Sequence, residues 1–366
     1  MRLVSPKEEI AAKLAAAARA ASSKSTIQIL SHVLLRAEDG WCGLAATDME
    51  VSLRVPVSAT VEQPGAVVLP RLAADIVRSM ADGPVTLEHR AGEGVISLSG
   101  GSSSFSLNCL QASDFPELPA DEGSGLSLPT DVLVDTIDRV ARAASRDETR
   151  PVLTGVLLRL APDSLTMVAT DSYRLAVRQT PLEDAPPDAR EAIIPARALL
   201  EVARMAPAAK AETVEVVLTE TQALFRVGDL RLTSRLIDGQ FPDHRQLVPD
   251  AFEHEVAFDR GELLGVLTRI GVLAQRSTPV RLAFQPGSVT VSAISDQVGE
   301  GHESLPVTFS GEPLEMGFNV EFLRAGAESV VGDEVRLGLI SPLRPGLLRG
   351  AADDYRYLLM PIRLNA

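Results

Sequence analysis

VATDSYRLAV, residues 168–177, decides how this chain is built, because its Ala169-Thr170-Asp171 repeats Ala46-Thr47-Asp48 from about 123 residues earlier. Other fragments return at nearly the same interval. Asp114-Phe115-Pro116 comes back as Gln240-Phe241-Pro242, and Leu69-Pro70-Arg71 as Ile194-Pro195-Ala196-Arg197. A third, more diverged copy has Ile294-Ser295-Asp296 at the corresponding corner. A unit of about 124 residues is a domain in size and too long for a solenoid repeat. The chain therefore reads as three tandem domains with bounds 1–122, 123–250 and 251–366. Equivalent surfaces at regular intervals suit a binding scaffold better than a single catalytic cleft.

Each copy follows one plan of helix, strands, second helix and more strands. Ser5-Pro6-Lys7-Glu8 has the form of a capping box before the alanine-rich run IAAKLAAAARA. Val51, Leu53, Val55 and Val57 alternate with the two-residue period of a strand. The first copy's second helix is RLAADIVRSM. The second copy has LPTDVLVDTIDRVARAA and ARALLEVARMA, and the third FDRGELLGVLTRIGVLA and NVEFLRAGAES. Many strands with two helices per copy predict an α+β fold. ADEGSG, residues 120–125, and the stretch after Pro249 read as linkers.

With 45% hydrophobic residues the chain can build real cores. No run approaches the roughly 20 apolar residues of a membrane span. MRLVSPKEEI carries no apolar signal core, so a cytoplasmic location is expected. Cys42 and Cys109 have no metal-like spacing, and a disulfide is not expected between them. The net charge of −14 argues at first against a nucleic-acid partner.

The distribution of charge argues the other way. On a helical wheel of residues 131–146, Leu133, Ile137, Val140, Ala141 and Ala144 share one face, with Arg139, Arg142 and Arg146 nearly opposite. Arg71 and Arg78 are spaced by seven in the first copy's second helix, Arg197 and Arg204 in the second copy's, and Arg269 and Arg276 share the spacing in the third copy. One such helix is an ordinary solvated surface; four at matching positions suggest contact with phosphates, which arginine makes without reading bases. Aromatic residues are only 4%, which disfavours stacking on single strands and leaves duplex backbone as the expected partner.

No chemistry of catalysis is visible. The five histidines (32, 89, 244, 254 and 302) form no ligand spacing, so neither a metal nor a cofactor is expected. There is no P-loop and no nucleophile elbow. Asp48 and Asp171 are expected to be turn devices that bond the next backbone amides, with a hydrolase as the remote alternative.

Over essentially its whole length the chain resembles the bacterial β sliding clamp, the processivity subunit of DNA polymerase III. VATDSYRLAV, SRLIDGQFPDHRQLVP (234–249) and the terminal YLLMPIRL (357–364) carry the resemblance. It implies three domains of like fold and a head-to-tail homodimer closed into a ring around duplex DNA, with helices lining the hole and sheets outside. It places Lys24, Arg71, Arg150 and Arg197 at DNA contacts, although Lys24 also fits a solvated surface lysine.

The resemblance also implies a partner-binding groove between the second and third domains. It maps onto Leu153, Thr170, Ser172, Tyr173, Arg174, Leu175, Pro242, Gln246, Leu247, Asn319, Phe322, Leu358, Leu359, Met360, Pro361, Ile362 and Arg363. The polymerase, the clamp loader and other repair and replication factors would dock there through short peptides. The other reading of YLLMPIRL is a buried last strand, the groove being the stronger because Pro242 and Leu175 are independently expected beside it. Ser172-Tyr173 stands where Gly-His is frequent, and Gln246 where arginine is frequent. Those departures leave open a paralogue that serves as a non-essential interaction or drug-tolerance scaffold. Phe105 and Leu107 would meet Val272 and Leu273 across the dimer, the other reading being intradomain core. The chain has no nucleotide site, so an ATP-driven loader would be a separate protein.

Overall fold

The computed structural model describes the whole chain apart from residues 23–24, 91, 183–188, 250, 275–277, 296, 352–353 and 365–366. Lys24, Arg276 and Asp296 therefore lie outside the described residues. Seven α-helices are present among those described: α1 Lys7–Ala20, α2 Ala73–Ser79, α3 Thr130–Val140, α4 Pro151–Thr154, α5 Ala196–Ala208, α6 Arg260–Gly271 and α7 Val320–Ser329. The second helices of all three copies (α2, α5 and α7) fall where the pattern predicts them.

Local chemistry accounts for several boundaries. In α1 the alanine run supplies helix propensity, while Glu8 and Glu9 in the first turn and Arg19 in the last complement the helix dipole. The capping box does not form. Ser5 belongs to a strand, Arg2–Pro6, and its buried hydroxyl donates to the Ser58 carbonyl at 2.8 Å. Pro6 then occupies the N-cap without a side-chain bond. By contrast, α6 and α7 are capped by side chains: Asp259 accepts from Glu262 N and Asn319 from Phe322 N.

Four antiparallel sheets carry the rest. Two are formed within single copies. One runs Thr60–Gln63, Arg2–Pro6, Pro84–His89, Val95–Gly100, Ser103–Asn108, and the other Gly299–Pro306, Ser288–Ser295, Val280–Gln285, Leu314–Phe318. The other two have eight strands and each joins neighbouring copies. In one, Leu230–Arg235 of the second copy pairs with Val51–Pro56 of the first; in the other, Tyr355–Leu359 of the third pairs with Arg174–Pro181 of the second.

Because ladders cross the copy boundaries, compactness does not follow the repeat. One unit comprises Met1–Leu133 with Glu201–Leu236, the other Val134–Leu200 with Ile237–Ala366. Within the first, α1 packs on α2; within the second, α6 packs on α7. Helix faces meet the sheets through fully buried side chains such as Ile10 and Leu14 of α1 and Leu263 and Leu267 of α6. Each contributes roughly 1.5–3 kcal/mol by leaving water. Val51, Leu53, Val55 and Val57 are all buried, as their alternation predicts.

The segment read as a linker at 120–125 is pinned rather than free. Asp121 pairs with both Arg226 and Arg231 at 2.7 Å, Arg226 also donates to the Gly123 carbonyl, and Gly125 N donates to Glu215. No described helix is long and apolar enough to cross a membrane.

Candidate functional site

The repeated Thr-Asp corners share the same backbone-directed bonds. Thr47 Oγ1 donates to the Val51 carbonyl and accepts from Met49 N, both at 3.0 Å. Thr170 Oγ1 donates to the Arg174 carbonyl at 2.6 Å and accepts from Ser172 N at 3.1 Å. Asp48 Oδ1 accepts from Glu50 N and Val51 N; Asp171 Oδ1 accepts from Tyr173 N and Arg174 N. Both aspartates thus act as turn devices. The turn forces the third residue left-handed, and Met49 (φ 78°) and Ser172 (φ 79°) adopt that conformation without being glycine.

The second corner is the centre of an apolar site. Leu175 stands opposite Leu358 across the ladder, and both are buried with Leu157, Val168, Ile193 and Leu347. Val152, Phe241, Val248 and Phe252 pack partly exposed against this cluster. Phe241 and Val248 flank Pro242, Gln246 and Leu247, which are all exposed; Gln246 donates to Asp243 at 3.0 Å. Leu153 in α4 is half-buried.

YLLMPIRL divides its roles. The strand ends at Leu359, where proline cannot continue a ladder. Leu358 and Leu359 are buried, while Met360 and Ile362 are 42% and 37% exposed beside the half-buried Pro361 and the exposed Arg363. Met360 N donates to the Tyr173 carbonyl and Ile362 N to the Gly317 carbonyl, which hold this exposed tail in place. The segment is therefore both a buried strand and an apolar wall.

Arg174 organises the polar edge. Its Nε pairs with Asp171 at 2.9 Å, Nη2 donates to the Arg142 carbonyl at 2.6 Å and Nη1 to the Tyr357 hydroxyl at 3.3 Å, with the guanidinium over the Phe322 ring. Burial pushes the Tyr357 hydroxyl up to about 12, so it stays neutral and donates to the Phe322 carbonyl at 3.0 Å. Asn319 caps α7, its side-chain oxygen accepting from Phe322 N at 3.1 Å. Tyr173 is 63% exposed, free to form a wall, and Ser172 Oγ accepts from Arg150 at 3.0 Å.

The arginines expected to share an outer face separate into classes. The run 131–146 is not one helix: α3 ends at Val140, a 3-10 turn spans Ala141–Ala143, and Arg146 lies beyond both. Arg139 is a correction to the wheel. Its side chain is only 12% exposed and it pairs with Asp135, which also holds Arg178. Arg142 is exposed near Asp138, Arg78 near Asp75, and Arg150 pairs with Asp147. On α5, Arg197 and Arg204 are both exposed opposite buried Leu199, Val202 and Ala206, as the wheel predicts, with Arg204 bonded to Glu201. Arg269 is exposed but held by both oxygens of Glu303. Arg71, just before α2, and Arg146 are exposed and make no ion pair among the described residues.

Phe105 and Leu107 do not enter the core: they sit on Ser103–Asn108, an edge strand, and Phe105 is 39% exposed. Val272 caps α6 at 83% exposure, and Leu273 lies over Gly301 of Gly299–Pro306, the edge strand of another sheet. Among the described residues no cluster of histidine, cysteine and carboxylates could hold a metal. Sequence reasoning missed Tyr357, Phe241 and Val248, and the pairing of Asp171 with Arg174. The recurrence of Phe115 as Phe241 was a signal for one of them.

Tandem copies of one mixed fold, with sheets shared across the copy boundaries, define a DNA-clamp architecture. The chain matches the DNA polymerase III beta subunit in three consecutive stretches: its N-terminal domain over residues 1–119, its central domain over 127–243 and its C-terminal domain over 245–363. It is 36% identical over 377 residues to the beta sliding clamp of Synechococcus elongatus, with all of both chains covered. The sliding clamp of Bacillus subtilis shares the fold over all of both chains with a TM-score of 0.89 at 28% identity. That of Bartonella birtlesii, solved bound to griselimycin, matches equally fully at 0.90 and 29%. The chain belongs to the DNA polymerase III beta subunit family, the beta sliding clamps.

Proposed function

We propose that this protein is the processivity factor of a replicative DNA polymerase, a non-catalytic cytoplasmic ring that encircles duplex DNA. The observation that carries the reading is the match of three clamp domains, in order, across the chain. The copies at 1–122, 123–250 and 251–366 would each contribute one-sixth of a ring made by two chains. Head-to-tail closure is supported by two unpaired strand edges in one molecule, Ser103–Asn108 and Gly299–Pro306. Edge strands expose unpaired backbone donors and acceptors, and here they carry or adjoin Phe105, Leu107, Val272 and Leu273.

Arg71 and Arg146, which form no ion pair among the described residues, and exposed Arg78, Arg142, Arg197 and Arg204 would contact phosphates without reading sequence. Lys24, Arg150, Arg269 and Arg276 are proposed for the same surface. The corner around Leu175, Leu358, Met360 and Tyr173 would take short peptides of the polymerase, the clamp loader and other replication and repair proteins. Its apolar floor gives affinity, and its flexible methionine tolerates several ligands.

Sedimentation should give a dimer, and Phe105→Asp or Leu273→Asp a monomer. After loading by the cognate loader, the protein should be retained on circular duplex and lost from linear ends. A wild-type monomer giving no gain in polymerase processivity would rule the reading out.

A further inference from the structure

The first Thr-Asp corner, Thr47-Asp48, is a second copy of the peptide corner in backbone and a different surface in side chains. Its strand Val51–Pro56 pairs with Leu230–Arg235 as Arg174–Pro181 pairs with Tyr355–Leu359. Arg235 N donates to the Glu50 carbonyl at 2.8 Å where Met360 N donates to that of Tyr173 at 2.9 Å. These bonds fix the correspondence residue by residue. Ser52 opposite Thr233 takes the place of Leu175 opposite Leu358, Glu50 that of Tyr173, and Arg235 that of Met360.

A pocket of about 150 Å³ lies at this corner, lined in part by Thr47, Met49, Glu50, Ser52, Thr233 and Arg235. Two leucines of the apolar floor have become hydroxyl residues, and the two exposed walls have become a carboxylate and a guanidinium. An apolar peptide side chain seated there would strip water from the carboxylate, the guanidinium and the hydroxyls and offer them no new hydrogen bond, which costs more than its own burial returns.

We propose that this pocket is a latent second peptide groove, closed to apolar ligands by Glu50, Ser52, Thr233 and Arg235, and that these four residues hold the protein to one peptide per chain. The inference rests on the assignment of peptide binding to the Leu175–Leu358 corner. It adds that the shared backbone is competent at both corners and that side-chain polarity alone selects between them. One peptide site per chain limits how many partners a ring can hold at once.

Calorimetric titration with griselimycin tests it. Wild type should bind one molecule per chain, and Leu175→Ser/Leu358→Thr should weaken that binding at least tenfold. Unchanged binding by that variant would reject the peptide-corner assignment itself. Glu50→Tyr/Ser52→Leu/Thr233→Leu/Arg235→Met should raise the stoichiometry from one to two, and restore one site when combined with Leu175→Ser/Leu358→Thr. If the fourfold variant does not fold, Glu50→Tyr/Arg235→Met, confined to exposed walls, is read in its place and should show a second binding event. A folded variant that keeps one site per chain, or a wild type that already binds two, would overturn the inference.

Discussion

The guanidinium carbon of Arg174 lies 4.3 Å from the centre of the Phe322 ring, so one side chain ties the second copy's Thr-Asp turn to α7 of the third. The same group bonds Asp171, Tyr357 and the Arg142 carbonyl, and its side chain is only 13% exposed. Arg174→Ala would leave a nearly buried carboxylate unpaired and should cost about 3 kcal/mol in urea denaturation. Arg174→Lys, unable to make a planar fork, should recover less than half of that stability. Asp171→Ala, which removes the two amide bonds of the turn and also the partner of Arg174, should cost about as much as Arg174→Ala.

Met49 holds a left-handed backbone and is 54% exposed. Glycine has no Cβ to strain there, so Met49→Gly should stabilise by about 1 kcal/mol, while Met49→Ala should be near neutral. Equilibrium denaturation of the two variants side by side checks this.

Arg146 and Arg139 separate contact with DNA from support of the fold. Arg146→Ala should lower duplex affinity and make the slope of log K against log salt shallower by about 1, the value of one phosphate neutralised. Arg139→Ala should leave that slope unchanged and lower stability instead, because Asp135 is deprived of a largely buried cation. Titrations of a duplex over a range of salt distinguish the two.

The pinned segment at 120–125 should confer acid sensitivity. Burial alone would raise the Asp121 carboxyl, but hydrogen bonds from Arg226 and Arg231 outweigh it and hold it below the usual range. The Gly125 amide and then Arg226 do the same for Glu215. Carboxyls depressed in the folded state stabilise it above the unfolded value near 4, and that contribution is lost as pH falls below. Asp121→Asn/Glu215→Gln should therefore be less stable than wild type at pH 7, and lose less on moving to pH 3.

Much of this was legible in the residues. Val51 to Val57 alternate because a strand turns its side chains over every residue, and Arg197 and Arg204 share a helix face because seven residues nearly complete two turns. The Thr-Asp corners were legible too, since their hydrogen bonds reach no further than four residues.

Arg139 was misplaced because a wheel has no end. Nothing local announces that α3 stops at Val140, or that Asp135, four residues before Arg139, also binds the distant and nearly buried Arg178. Ser5 resembled a cap until the Ser58 carbonyl, distant in sequence, claimed its hydroxyl.

By itself, then, the sequence determined the repeat, the elements and the family, because periodicity and recurrence are properties of order along the chain. Only the tertiary structure decided which strands cross between copies, and hence that Leu175 meets Leu358 while Ser52 meets Thr233. Those pairings join residues more than 180 positions apart. Their register is set by ladder hydrogen bonds and burial, which no local pattern encodes.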